Sequence, residues 1–287
     1  MTLVYACIAP HGADLIPQLS SRRIARLFLK TREGIRTLAE EMAASVPDTI
    51  VIASPHNLRL MGKIGIVVAE NSTGTLGGSS KKSVRLSVKC DTKLARQLLN
   101  WSVKAGLPAV GANYGTSEGP GSDMPMDWGT LVPLWFPIRE KRVRAKVVII
   151  TPSREIPLVE NFRFGKVVGK LAEAGEAKVA FVASADQAHA HSKKGPYGYS
   201  RRASEYDNQV CKAISKNRLR SILEIGPHLV EEAKPDSLWQ MAVLAGILEE
   251  VRMSSVLVSY EVPTYYGMVC AAFHRLRLSG AGVENRL

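Results

Sequence analysis

Short, continuously apolar segments separated by helix-length segments limit the fold of this chain more than any other feature. Val147-Val148-Ile149-Ile150 is one such segment. Strands this apolar are typical of a sheet with both faces covered by helices, because all of their side chains are then buried. The alternation of strands and helices predicts a three-layer α/β/α fold with a mostly parallel mixed central sheet. We expect one domain over residues 1–287.

The individual elements follow from apolar runs and helical spacing. Strands are predicted at Leu3–Ile8, Thr49–Ala53, Ile64–Ala69, Val84–Val88, Lys146–Ile150, Lys178–Ala183, Ser255–Tyr260 and Met268–Phe273. Helices are predicted near Gly34–Ala44, Asp91–Ala105, Val159–Glu173, Ala203–Ala213 and Ser237–Val251. Residues 62–90, where Asn71-Ser72-Thr73-Gly74 separates two of these strands, predict an antiparallel hairpin insert. The Gly/Pro-rich residues 115–125 predict a polar loop.

Composition and charge argue against two classes of partner. The net charge is +12, from 38 Lys+Arg against 26 Asp+Glu, but the basic residues are dispersed. There is no zinc-finger spacing and no basic run interleaved with aromatic residues, so we expect no nucleic-acid partner. No segment approaches the roughly 20 apolar residues of a membrane-spanning helix, so we expect no membrane contact.

The cysteines and the first residues indicate the compartment. The chain opens on a predicted strand, without the basic start and cleavage site of a signal peptide. The four cysteines are scattered and form no CxxC pair, so we expect reduced core thiols in a cytoplasmic protein. They are Cys7, Cys90, Cys211 and Cys270.

Two of the predicted strands each end in a Pro-His pair. Leu3–Ile8 leads to Pro-His-Gly with His11, and Thr49–Ala53 leads to Ser-Pro-His-Asn with His56. Ligands of open α/β sheets bind beyond the carboxyl ends of the strands. We therefore expect both imidazoles at one edge of the sheet.

A third strand, Lys178–Ala183, is followed by His189 and His191, which would reach the same edge. His228 lacks this context, and His274 continues from its strand without a turn signal, so both are interpreted as structural. Imidazole is a common ligand for iron and zinc, and two histidines with one carboxylate leave open positions on the ion. His11 and His56, held by short turns, are the ligand candidates. His189, on a longer loop, is the better acid/base candidate.

Four segments, in order, carry a family resemblance. They are "PHG", "SPHN", "SADQAHAHSKKGPYGYSRRASEYD" and "EEAKPDSLWQMAVLAG". Together they resemble the class III, LigB-type extradiol dioxygenase superfamily, which includes the Memo-type proteins. The resemblance spans nearly the whole chain and implies the α/β fold described above.

The resemblance implies roles for individual residues. His11 and His56 match the two metal-ligand histidines, and His189 matches the catalytic acid/base near a bound catechol. The position of the third ligand, counted back from the glycine that ends the last segment, falls on Ser237. Two nearby carboxylates could take its place. They are Glu232, slightly favoured for its longer reach, and Asp236, which would otherwise cap the following helix.

A second departure from the family pattern lies in "MPMDWGTLVPLWF", where Trp128 stands in place of a histidine. Tryptophan in place of histidine removes a side chain that can carry a proton and adds an apolar surface. Trp128, Tyr197 and His191 are the candidate substrate-binding residues. For Tyr197 and His191, packing and loop closure are equally good interpretations.

The resemblance therefore implies an oxidoreductase of aromatic catabolism. It would open a catechol-like or aminophenol-like ring with O2 at an Fe(II) site, or hold Zn(II) as the bound ion. The alternatives are a Memo-like metal-binding or regulatory protein without ring cleavage, and a Zn-dependent hydrolase. We expect a small aromatic substrate, and either a homo-oligomer such as a dimer or a small partner subunit.

Overall fold

The computed structural model describes residues 2–276, and the strands within that range form two sheets. The strands are β1 (Thr2–Ala9), β2 (Thr49–Ala53), β3 (Ile64–Val67), β4 (Asn71–Gly77), β5 (Ser83–Lys89), β6 (Ala109–Ala112), β7 (Asp123–Pro125), β8 (Lys146–Thr151), β9 (Lys178–Ser184), β10 (Met253–Glu261) and β11 (Met268–Arg275). The large sheet has eight strands in the order β10-β11-β1-β9-β2-β8-β3-β6.

The centre of the large sheet is parallel and its flanks are mixed. β1, β9, β2 and β8 pair in parallel with one another. β11 is antiparallel to β1, β10 is antiparallel to β11, and β3 is antiparallel to β8. The predicted mixed, mostly parallel α/β architecture is confirmed.

Helices cover both faces of this sheet. They are α1 (Arg22–Ala25), α2 (Leu29–Ser45), α3 (Thr92–Lys104), α4 (Trp128–Leu134), α5 (Leu158–Glu173), α6 (Arg201–Ser215), α7 (Pro227–Ala233) and α8 (Leu238–Glu250). Along β8, Val148 and Ile150 pack against the layer that holds α3, α5, α6 and α8. Val147 and Ile149 pack against the layer that holds α2 and α4. Both faces of the central strands are therefore buried, which explains why these strands are apolar throughout.

The hairpin insert differs from its prediction. Asn71–Gly77 is a strand rather than a turn, and it pairs with β5 on one side and β7 on the other in a separate three-stranded sheet. This strand was not predicted because its side chains are polar. One of them, Ser72, is fully buried and donates a hydrogen bond to the Met124 carbonyl. β3 is outside the hairpin, because its four buried residues belong to the large sheet.

Other parts of the chain follow or extend the predictions. Cys7, Cys90 and Cys270 are buried, Cys211 is half-buried, and all four are free thiols. Residues 115–125 are mainly loop and end in β7. α4, which was not predicted, contains Pro133 and continues as a π-helix over Trp135–Glu140. Among residues 2–276, no helix has the length and apolarity needed to cross a membrane.

Close packing of α5 against α8 generates a stability prediction. A Cβ atom added at Gly246 would overlap the Phe162 carbonyl oxygen and the backbone of Gly165. Neither backbone can move without displacing its helix, so we expect Gly246→Ala to lower the free energy of unfolding by about 1–3 kcal/mol. Denaturant unfolding would measure the change. Gly77→Ala is the control, since the nearest atom to its added Cβ is the Lys82 carbonyl oxygen at 3.8 Å. Equal stability of the two variants would contradict this packing.

Candidate metal centre

Three ligand-type side chains meet at the carboxyl edge of the parallel strands. His11 follows β1 and His56 follows β2. Asp236 comes from the short connection between α7 and α8. There Lys234 ends α7 in the left-handed conformation, with φ of 53°, and Pro235 prevents the helix from continuing. The Asp236 N–H then donates to the Asp186 carbonyl at 3.3 Å, which ties this connection to the loop after β9.

The donor atoms of these three residues fit one shared ion. The Nε2 atoms of His11 and His56 are 3.2 Å apart. Oδ2 of Asp236 lies 2.9 Å from Nε2 of His56 and 3.5 Å from Nε2 of His11. Two donors each bound to one zinc-like ion at about 2.0–2.2 Å would be about 2.8–3.6 Å apart. All three distances fall in that interval, so the residues present can hold a metal.

A hydrogen-bond chain orients the His11 ring. Nδ1 of His11 is 3.0 Å from the Ser184 hydroxyl, and that hydroxyl donates to the Gly129 carbonyl at 2.5 Å. Since the hydroxyl proton is committed to the carbonyl, the Ser184 oxygen accepts from Nδ1–H. The neutral ring therefore carries its lone pair on Nε2, toward His56 and Asp236, as a metal ligand requires.

His56 is held by contacts from α4. Trp128 stacks on its ring at a centroid distance of 4.3 Å and an interplanar angle of 29°. The indole is 47% exposed, so it forms a wall between His56 and solvent. Asp127 caps α4 by accepting from the Thr130 N–H, and it also accepts from the Ser54 hydroxyl. The start of α4 is thereby fixed to the turn that presents His56.

Buried carboxylates dominate the electrostatics. Burial lowers the pKa of His11, but Asp186 and Asp236 outweigh burial and raise that pKa to about 9. Burial raises the pKa of Asp236, but the charges and hydrogen bonds of His11 and His56 outweigh it and hold the pKa well below its usual range. Asp186 accepts from the His11 N–H, and burial raises the pKa of its carboxyl group.

His189 lies on the loop after β9 and is not one of the three converging residues. Its Nδ1 is 2.9 Å from the Gln187 carbonyl, which can only accept, so Nδ1 carries the proton of the neutral ring. Nε2 then holds a lone pair. The ring stacks on Tyr266 at 5.2 Å and 13°, and Tyr197 meets it edge-on at 5.7 Å. An imidazole with a lone pair on Nε2 and aromatic rings around it is suited to accept a proton.

One of the candidate metal ligands lies elsewhere. Glu232, the carboxylate slightly favoured from the sequence, is on the outer side of α7, where it contacts His228 at 3.1 Å and accepts from Ser200. Glu232 was expected close to His11 and His56 because the end of α7 could not be located from the sequence. Asp236 is the carboxylate beside the histidines, and Ser237 rather than Asp236 takes the N-cap position of α8.

His191, a candidate substrate-binding residue, is held by a buried carboxylate. Its Nε2 is 2.8 Å from Oδ2 of the fully buried Asp207, which also accepts from the Tyr260 hydroxyl. This network closes the loop after β9, so the structure supports the loop-closing interpretation of His191. Of the two histidines interpreted as structural, His228 is mostly exposed and His274 is partly exposed.

Sequence reasoning did not single out several polar residues of this edge. Ser184 is the last residue of β9 and Asp186 follows that strand. Arg154 follows β8, and its Nη2 is 3.5 Å from Oδ1 of Asp236. The sequence signal that could have identified these residues is a charged or polar side chain at or just after the end of an apolar strand. Tyr266 had no such signal, since it precedes β11 and reaches this edge because β11 is antiparallel to β1.

Substitution of the three converging residues tests the metal centre. We expect His11→Ala, His56→Ala and Asp236→Asn each to lower Zn(II) affinity by more than about 10-fold, because disturbing even a ligand's outer partner costs 10–100-fold. Calorimetric titration and elemental analysis would measure the effect. Glu232→Gln is the matched carboxylate control and should bind metal like the unaltered protein. Loss of metal in Glu232→Gln, or its retention in Asp236→Asn, would contradict this arrangement.

The pKa of His11 predicts a pH dependence of metal binding. A metal binds only the unprotonated Nε2, so below the pKa of about 9 a proton competes with the ion. Zn(II) affinity should fall by up to about 10-fold per pH unit between pH 8 and pH 6. In Asp186→Asn the carboxylate that most raises this pKa is removed, so the fall should begin at lower pH. Affinity that is constant over this range in the unaltered protein would refute the prediction.

Comparison with known proteins agrees with this fold. Protein CA_C1420 of Clostridium acetobutylicum is 24% identical over 254 residues, which are 88% of this chain and 54% of that protein. The chain thus spans about half the length of this curated relative. The crystal structure of the uncharacterized protein JW3007 from Escherichia coli K12 has the same fold, with a TM-score of 0.56 at 15% identity over 94% of this chain and 99% of that chain.

The family comparison covers the part of the chain that contains these three residues. A family model described as "Catalytic LigB subunit of aromatic ring-opening dioxygenase" matches residues 5–272. That range contains His11, His56 and Asp236, whose donor atoms converge, and also His189. The chain belongs to the LigB family.

Proposed function

We propose that this protein is an Fe(II)-dependent extradiol-type dioxygenase that opens a catechol-like or aminophenol-like ring with O2. The observation that carries the proposal is the convergence of His11, His56 and Asp236. His189, on the loop after β9, adds an imidazole whose Nε2 holds a lone pair. Two imidazoles and one carboxylate on one side of an ion are typical of non-haem Fe(II) oxygenases. Membership of the LigB family supports the same activity.

The bound iron would supply the redox centre through which electrons pass from the aromatic ring to dioxygen. The protein supplies proton transfer and orientation. Nε2 of His189 accepts a phenolic proton as the substrate binds, because Nδ1 is already committed as donor to the Gln187 carbonyl. The protonated imidazole of His189 can return that proton when the carbon–carbon bond of the aromatic substrate beside its oxygens opens.

Aromatic side chains give the site a flat, apolar lining. Trp128 covers His56, and Tyr197, Tyr265 and Tyr266 all lie within 6 Å of His189, centroid to centroid. Offset or edge-to-face contacts with such rings favour a planar aromatic substrate. This lining supports the substrate class.

One feature favours a second candidate function, a Memo-like metal-binding protein without ring cleavage. Trp128 stands where the ring-cleaving relatives are expected to carry a histidine, and it stacks on His56. An indole N–H neither gives up nor takes a proton near neutral pH, so this wall offers no acid/base group. Under this alternative the protein binds a metal and an aromatic molecule but consumes no oxygen.

Oxygen uptake by the iron-loaded protein separates the two functions. We expect anaerobically reconstituted Fe(II) protein, exposed to air with a panel of catechols and aminophenols, to consume O2 and form ring-opened products. His189→Ala should lower turnover by about 10²–10⁴-fold, the usual contribution of an acid/base group, while its metal content stays unchanged.

His228→Ala is the matched histidine control, since His228 lies on the exposed side of α7 and pairs only with Glu232 among the described residues. Its turnover should equal that of the unaltered protein. Absence of ring opening across the whole panel would favour the Memo-like alternative. Turnover that survives in His189→Ala would instead show that the proton acceptor is a different group.

A further inference from the structure

A basic surface forms where two distant segments of the chain meet. α1 and the residues that follow it lie next to the turn between β4 and β5. The Ser21 N–H donates to the Ser79 hydroxyl at 2.9 Å, and the Ser80 N–H donates to the Leu19 carbonyl at 2.8 Å. These contacts bring the basic residues of the two segments close to one another. The basic surface consists of Arg22, Arg23, Arg26, Lys30, Lys81 and Lys82.

The cations of the basic surface are exposed and have no carboxylate partner among residues 2–276. None of them takes part in an ion pair there. Asp14, beside the turn, accepts from the Ser79 hydroxyl instead. Arg26 is four residues from Arg22 and four from Lys30, a spacing at which like charges destabilise a helical segment. An anionic surface laid against these side chains would relieve that repulsion.

Two leucines lie among these cations with much of their surface exposed. Leu27 is 46% exposed and Leu29 is 62% exposed, whereas Phe28 between them is buried in the core. Apolar side chains exposed among cations on a helix are typical of a surface that rests in the interface of an anionic bilayer. A nucleic acid offers phosphates to the cations but no apolar layer to the leucines, and the aromatic ring available for stacking on bases, Phe28, is buried. The combination therefore favours a lipid surface.

We propose that the basic surface, together with Leu27 and Leu29, docks this protein reversibly on an anionic lipid bilayer. The headgroup phosphates face the lysines and arginines, and the two leucines enter the boundary between headgroups and acyl chains. We expected no membrane contact because the sequence contains no spanning segment, but docking on a surface does not require one. The basic residues are dispersed in the sequence, and the fold gathers them.

Sedimentation of the whole protein with lipid vesicles tests this proposal. We expect the protein to bind vesicles of an equal mixture of phosphatidylcholine and phosphatidylglycerol, and to bind phosphatidylcholine vesicles much more weakly. Added salt should lower the affinity because it screens the exposed charges. One cation near an anionic bilayer contributes about five-fold in affinity. The double variants Arg22→Gln with Arg23→Gln and Lys81→Gln with Lys82→Gln should therefore each bind about 25-fold more weakly.

A matched control removes the same charge from another face of the protein. Lys93 and Arg96 are exposed on α3, whose layer lies on the opposite side of the large sheet from α2. The double variant Lys93→Gln with Arg96→Gln should keep the vesicle affinity of the unaltered protein. Leu29→Trp reports on contact with the bilayer itself. Its added tryptophan emission, taken as the difference from the unaltered protein, should shift to shorter wavelength with the mixed vesicles only.

The outcomes decide between a lipid surface and other partners. Equal affinity for the two kinds of vesicle, or equal losses in the α3 variant and the basic-surface variants, would overturn the proposal. Binding of DNA or RNA oligonucleotides that the basic-surface variants abolish, without binding of vesicles, would overturn it in favour of a nucleic acid. Because no turnover is measured, the result is independent of whether the protein opens aromatic rings.

Discussion

The in-register parallel pairing of four central strands is the constraint on which the site depends. Ala9 at the end of β1 lies opposite Ser184 at the end of β9, and Ala53 at the end of β2 lies opposite Ala183 and Ile150. Since these strands end at one level, the residues that follow each of them emerge together. Two imidazoles from distant parts of the sequence thereby come within 3.2 Å of one another.

The sequence predicted those features that depend on local patterns. Buried parallel strands are apolar at every position, so β2 was predicted with its observed bounds and His11 and His56 were placed at the correct edge. Features set by long-range pairing were not predictable. The polar strand β4 resembled a turn, because its stability comes from pairing with β5 and β7. The choice between Glu232 and Asp236 depended on where α7 ends, and it ends at Lys234 in the left-handed conformation. Lysine has no preference for that conformation, so the sequence did not predict this helix end.

His11 and His189 share one hydrogen-bonding arrangement and differ in their surroundings. In both His11 and His189, Nδ1–H donates to a neutral acceptor, so each ring in its neutral form has its lone pair on Nε2. The Nε2 of His11 faces the carboxylates of Asp186 and Asp236, which favour a cation there. His189 is surrounded by tyrosine rings instead. The same side chain is therefore suited to metal ligation in one place and to proton transfer in the other.

The hydrogen bond from Ser184 to Gly129 ends on a main-chain carbonyl. The neighbouring residue, Trp128, forms the wall over His56. A main-chain acceptor does not depend on the identity of the side chain beside it, so residue 128 can be exchanged while the orientation of His11 is retained. The wall over His56 and the contact that orients His11 are therefore independent of one another, although they come from adjacent residues of one helical turn. The surroundings of the candidate metal centre can change at residue 128 without a change in the centre.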